Sequence, residues 1–572
     1  MLGATLLLAS LPYLYGWLIR PPGASFWAVP PINGSDANQY LAFTRMAAHG
    51  SLLFDDPFTA EPHAPRLFLP QVLLQGLAAR LCSGSLFAGF HLSRLLSGAA
   101  LLLAAWGFGR RFLRPWRRRR LYLVLLCWSA GIGWMLEAWG VRLPNGDWLQ
   151  PEGNTFFTLT NLPHLALAQA LLILLLGRCC AERAPGSKTG GAENQRDAPG
   201  RRPAGTETRE AGAGRLSLSA RAGLRIAALS TLLAWTHPFD FLTLGAVAAA
   251  WFLLRARAGS PPLREVWQTS RVAWGAVALG AAPAAIYLLC VLATDPVYRA
   301  LAQDGLRVEP PAFYLAAHLP LGLLALPVLL RPERRSHFLL PLCWVGVVFL
   351  GLLLPVSLGG KLCRLVGGVH VPLALLAAAG ADMLALRVRR WVRRGPSRDP
   401  HRRRVLASLS GTLVRVSLVV FLLPGAPAMA LRHAEQYHRH PERYFLPPEL
   451  QAALRALDTH GTPDQITLAG PLTGGWAPVA ADARSWHGHW HMTLDASHKA
   501  RERLWFFLGD GAPHERAAWL RRRRIRWVLV WPTEWLGQLR SPAAIPGLSV
   551  TFAAGDVLLY QFDPGQAPEP EK

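Results

Sequence analysis

The feature that most constrains this chain is a series of apolar runs, each 17–23 residues long and nearly free of charge. A helix of that length crosses the roughly 30 Å hydrocarbon core of a bilayer. A set of soluble domains has no use for so many. The runs are about Leu2–Ile19, Leu86–Phe108, Leu121–Trp139, Asn161–Gly177, Val272–Ala293, Ala312–Leu330, Phe338–Leu358, Val369–Leu386 and Val405–Leu423. The apolar block 222–254 is too long for one span, and HPFD (237–240) breaks it, so two half-length helices are expected there. Lipid cannot satisfy such a polar break, which must be buried in protein or line a cavity. This makes eleven spans. The first lacks a basic leader and a small-residue cleavage site, and reads as a retained span.

Lys and Arg sort these runs into a topology. Loops 110–120, 178–225, 255–271, 331–335 and 387–404 hold 33 of them, against 9 in loops 20–85, 140–160, 294–310 and 359–368. Rich and poor loops alternate without exception, so the rich ones are expected in the cytoplasm. Loop 20–85 and everything after the eleventh span then face out. The net charge of +25 lies between spans, and no nucleic-acid partner is expected. Residues 178–221 lack apolar periodicity and read as a disordered cytoplasmic loop.

The expected fold class is an α-helical polytopic membrane protein with a small C-terminal extracytoplasmic α/β domain. A membrane domain covers 1–428 and the outer domain 429–572, in the cell inner (plasma) membrane. In the outer domain, 466–470 and 525–531 read as strands, 446–461 and 496–509 as helices, and 548–552 with 557–562 as a hairpin.

Four stretches carry chemistry. The outer loop holds GSDANQYLAFTRMAAHGSLLFDDPFTAE (34–61), with Asp36 just past the first span and Asp55, Asp56 and Glu61 following. Sugar transfer from a phosphate donor needs a carboxylate on the acceptor hydroxyl and positive charge on the leaving phosphate. Asp36 meets the first need; Asp55, Asp56, Glu61 and His63 are candidate acceptor contacts or metal ligands. The plainer reading makes Asp36 a helix N-cap. Lys361, Arg364 and His370, at the outer end of a late span, are placed to hold a lipid phosphate. His237 and Asp240 sit in the polar break, with His164 in a similar place, as a structural pair or as substrate-site residues. His487, His489 and His491 alternate as on one strand face, with Trp490 between them, which suits a metal or a stacked sugar.

These residues resemble the GT-C superfamily of membrane glycosyltransferases, which includes protein O-mannosyltransferases and lipid A aminoarabinose transferases. The shared pattern is the first-loop acid in GSDANQY, the acidic patch FDDPFTAE, and a basic residue before a late span in KLCRLVGGVHVPLALLAAAG. The tail, with a glycine-rich turn before GHW-x-x-T (488–493), is similar to bacterial GT-C-like proteins. The resemblance implies Asp36 as catalytic acid, Asp55 or Asp56 as second acid, and Lys361 and Arg364 at the donor phosphate. It implies a polyprenyl-phosphate-linked sugar as donor, membrane lipids around the spans, and an acceptor that is protein, lipid or glycan. Loop 140–160 offers only Asp147 and Glu152 in place of an Asp-x-Asp pair, so dependence on a divalent cation (Mg or Mn) stays open. A transporter or lipid flippase, or a non-catalytic envelope-assembly scaffold, is the alternative.

Overall fold

Each apolar run forms helix in the computed structural model of the chain, which describes all residues except 142–145, 181–206, 258–262, 304–310, 354–364, 395–398, 423, 536–537 and 567–572. Among the described residues, Leu86–Phe112, Ser270–Thr294, Ala312–Leu329 and His370–Arg393 are helices long and apolar enough to cross a membrane. Leu2–Leu18, Pro163–Cys179 and Leu339–Leu353 are shorter apolar helices. The chain is thus read as a polytopic membrane protein. Small residues let these helices approach closely. A Cβ at Gly380 would overlap the Leu324 carbonyl, and one at Gly280 the Ala227 carbonyl.

Two expectations are corrected. The run 121–139 is not one helix: Trp116–Trp128 stops, and a short helix, Gly133–Ala138, follows. The break is a tertiary effect, because Gly131 lies against the backbone of Ala316 and Ala317, where a Cβ would not fit. The block 222–254 does not hold two half-length helices. Glu207–Thr236 has 30 residues and Asp240–Arg257 has 18, parted at His237–Phe239. The first of these helices begins inside the segment read as disordered, where Glu, Arg and Ala favour helix without any apolar stripe. The remainder of that segment, 181–206, lies outside the described residues.

The C-terminal region builds a five-stranded mixed sheet. Seven strands are named in chain order: β1 (Ser25–Phe26), β2 (Phe445–Leu446), β3 (Ile466–Leu468), β4 (Arg484–Ser485), β5 (Ile525–Val530), β6 (Leu548–Ala554) and β7 (Val557–Phe562). The sheet order is β4-β3-β5-β7-β6, with β3 parallel to β4 and β5, and β7 antiparallel to β5 and β6. The central strands are buried on both faces, as their side chains alternate across the sheet. Val528 and Val530 pack with Phe506, Phe507 and Leu520 of the flanking helices. Trp527 and Leu529 join a different core, which includes Trp27, Ala37, Leu41 and Phe58 of the first loop. β1, also from the first loop, pairs antiparallel with β2. The first loop and the sheet therefore share one hydrophobic core.

Candidate functional site

Asp36 lies in the first turn of the helix Gly34–Ala48. It is not the N-cap. That position is Asn33, in the left-handed conformation at φ 69°. Asp36 Oδ1 accepts from Trp490 Nε1 at 3.3 Å and lies 3.1 Å from His489 Nε2. The His489 tautomer follows from its other nitrogen. Nδ1 accepts the backbone N–H groups of His491 and Met492, both at 3.0 Å, so the ring proton is on Nε2 and is donated to Asp36. His489 is buried, whereas Trp490 is 57% exposed, with the His489 and His491 rings 5.9 and 5.3 Å from its own.

The GHW-x-x-T motif explains how this loop is held. Thr493 Oγ1 accepts from the N–H of Gly488 and His489 and donates to Phe58 O at 2.6 Å. The stretch is a turn rather than a strand, which corrects the expected alternation. His489 reaches Asp36, while His487 Nδ1 meets Arg503 at 2.9 Å. Burial and the Arg503 charge push the His487 pKa down to about 4. Among the described residues no three His, Cys, Asp or Glu side chains converge to hold a metal.

The second acidic patch docks on the outer domain. Asp55 Oδ2 is 2.5 Å from Arg484 Nη2, and Arg484 also donates to the Asp56 and Thr59 carbonyls. Glu61 Oε1 is 2.7 Å from Lys499 Nζ, which lies 4.8 Å over the Trp486 ring. Burial alone would raise the Glu61 carboxyl, but Lys499 and Thr59 outweigh it and hold it below its ordinary value. Asp56 is fully buried. Its Oδ1 accepts from Phe58 N at 2.9 Å, while its Oδ2 has no hydrogen-bond partner among the described residues. Burial pushes its pKa up to about 8 against the pull of that N–H and of Arg484. His63 Nε2 accepts from Asp56 N and its Nδ1 donates to Glu61 O, which braces the same turn.

The polar break joins the site from the membrane side. Tyr40, one turn after Asp36, stacks on His164 at 4.2 Å between centroids, with its hydroxyl 3.2 Å from Nε2. His164 lies 6.1 Å from the His237 ring, and His237 Nδ1 is 3.1 Å from Asp240 Oδ1. His164, His237 and Asp240 are all buried. His370 is placed elsewhere, with ring nitrogens 3.3 Å from Ser129 Oγ and 3.0 Å from Thr155 Oγ1. Lys361 and Arg364 lie outside the described residues.

A cleft of about 330 Å³ opens along the first turn of the helix that carries Asp36, although Asp36 itself does not line it. Gly34, Ser35 and Asn38 of the loop helix line one side, and Trp476 and Gly488 of the outer domain the other. Tyr444 and Arg443 also border it. Sequence reasoning missed Tyr40, Arg484 and the docking role of Lys499. The spacing of Tyr40 from Asp36, four residues on a helix, is a signal that places both on one face. Arg484 carries no comparable local signal.

No family model matches this sequence, and no curated protein matches it either. Solved structures do. The Archaeoglobus fulgidus oligosaccharyltransferase in its apo form aligns at TM-score 0.53 and 12% identity, over 100% of this chain and 75% of that one. The oligosaccharyltransferase AglB of the same organism, in complex with an inhibitory peptide and a dolichol-phosphate, aligns at 0.51 and 13%, over 99% and 75%. ArnT from Cupriavidus metallidurans bound to undecaprenyl phosphate aligns at 0.48 and 11%, over 99% of both chains. At such identities a likeness establishes fold, and here the first two structures establish it. The chain has, over its whole length, the fold of the archaeal oligosaccharyltransferase.

Proposed function

We propose that this protein is an integral membrane glycosyltransferase. It transfers a sugar from a polyprenyl-phosphate donor to an acceptor hydroxyl on the extracytoplasmic face. The observation that carries the reading is the Asp36 carboxylate of the first loop, oriented by His489 and Trp490 of the outer domain. A carboxylate held in place before substrate arrives does not have to be ordered during the reaction. The similarly folded archaeal structure in complex with a dolichol-phosphate suggests the donor class.

In the proposed step the acceptor oxygen bonds to the anomeric carbon as that carbon's bond to the phosphate oxygen breaks. The hydroxyl proton passes to Asp36, and the polyprenyl phosphate leaves as an anion. Direct attack inverts the anomeric centre. Lys361 and Arg364 are assigned to the leaving phosphate on sequence grounds. The exposed Trp490 side chain is offered to a sugar ring, in keeping with its place beside Asp36.

The test uses purified protein in lipid nanodiscs with a panel of radiolabelled polyprenyl-phosphate sugars. Release of free polyprenyl phosphate by the wild type, abolished in a folded Asp36→Asn variant, is the expected result. Undiminished release by Asp36→Asn would remove Asp36 from the chemistry. No release from any donor by folded protein would turn the reading to transport or scaffolding.

A further inference from the structure

A second cavity lies far from Asp36, between the helices Leu86–Phe112 and Pro163–Cys179. It is a groove of about 210 Å³, walled by apolar side chains such as Leu103, Phe108, Ile173 and Leu174. Arg111 and Arg178 close one end. Both arginines are exposed, and neither forms an ion pair among the described residues. Arg111 is held over the groove by donating to the Gly177 carbonyl, and Arg178 Nη1 donates to Leu174 O at 3.3 Å. A Cβ at Gly177 would come within 3.0 Å of Arg111, so glycine there makes room for the guanidinium.

The position sets the leaflet. His164, beside Tyr40, starts the same helix that Arg178 ends. Fourteen residues at 1.5 Å each separate them by about 21 Å. The groove therefore opens at the membrane face opposite the cleft, where RRFLRPWRRRR (110–120) is expected in the cytoplasm.

We infer that this groove binds one anionic phospholipid of the inner leaflet, with an acyl chain along the apolar wall and the phosphate on Arg111 and Arg178. Charge complementarity selects the head group. Two adjacent cations that meet no carboxylate among the described residues suit a phosphate, to which guanidinium groups bind through paired N–H donors. The apolar wall selects the tail, and so a lipid over a free phosphate. The site is independent of glycosyl transfer.

The test is native mass spectrometry of the full-length protein, released from nanodiscs of phosphatidylcholine containing phosphatidylglycerol. Wild type is expected to retain one phosphatidylglycerol per chain in preference to phosphatidylcholine. The double variant R111Q/R178Q is expected to weaken retention roughly thirtyfold. Gly107→Leu supplies a second probe, since a Cβ there meets nothing within 4 Å and points into open space. It is expected to displace the lipid while the protein stays folded. Equal retention in wild type and both variants would overturn the inference. So would displacement by soluble glycerol phosphate, which carries the head charge without a tail. Retention that arises only after deletion of residues 182–205 would also overturn it, because that segment would then be the occupant.

Discussion

At the residue scale the site rests on one imidazole with an assigned proton. Nδ1 of His489 is occupied by two backbone N–H groups, so Nε2 always presents a donor to Asp36. In the proposed reaction His489 acts through Asp36 as a positioning residue. His489→Ala is expected to lower kcat ten- to a hundredfold, roughly the cost of a 1 Å misplacement, with KM for the lipid donor little changed. His489→Gln, which keeps an N–H donor, is expected to recover part of the loss; a KM effect in place of a kcat effect would argue for substrate contact. Asp56 makes a different prediction. Its carboxyl, at about 8, is protonated in the folded protein well above the ordinary 3.8. A raised folded value means that the contribution is full below 3.8, declines as pH rises, and is lost above about 8. Asp56→Asn removes that dependence. It is expected to raise the free energy of unfolding at pH 9 by about 2–4 kcal/mol, and to change it little at pH 4. Asp36 was legible in the sequence, because an acid directly after a span is rare without a task. Its partnership with His489 was not, since 453 residues separate them.

At the element scale the stretch 54–61 is stitched to the outer domain by two ion pairs and a buried core. A partly exposed pair is worth about 0.2–1 kcal/mol, whereas a buried Phe or Leu contributes roughly 1.5–3 kcal/mol. Phe58, Leu41 and Trp27 therefore hold the loop, and Arg484 and Lys499 fix its register. Lys499→Ala is expected to cost ~1–3 kcal/mol, because it leaves Glu61 half-buried without its cation. Thermal unfolding in detergent measures it. The Glu61 value is lowered by folding, so the contribution is present above 4.5 and lost as pH falls through the folded value. The double variant with Glu61→Gln is expected to be flatter in acid than the wild type. The acids of this patch were legible and their partners were not. FDDPFTAE announces charge, but nothing local says that Arg484 and Lys499 will meet it. Helix breaks divide the same way. HPFD is visible as a polar interruption. The stop after Trp128 is set by Gly131 against another helix. Gly131→Val is expected to destabilise by more than 2 kcal/mol through that backbone contact, read by the same unfolding assay.

At the scale of the whole molecule, the loop that follows the first helix and the last 140 or so residues form one body. Removal of residues 429–572 is expected to leave the membrane helices intact and to expose Trp27, Ala37 and Phe58, which limited proteolysis of the loop would detect. The topology predicts that Cys82, half-exposed after the helix Pro70–Leu81, reacts with an impermeant thiol reagent in intact cells. Protection until the cells are opened would reverse the assigned sidedness. The layout has a further consequence in time. Phe26 pairs with Phe445, about 420 residues later in the chain. A ribosome adding about 5–20 residues per second needs roughly 20–80 s to cover that distance. For that interval the nascent loop has its tryptophan uncovered and its strand unmatched. The pairing of Phe26 with Phe445 therefore cannot form until nearly four-fifths of the chain has been made.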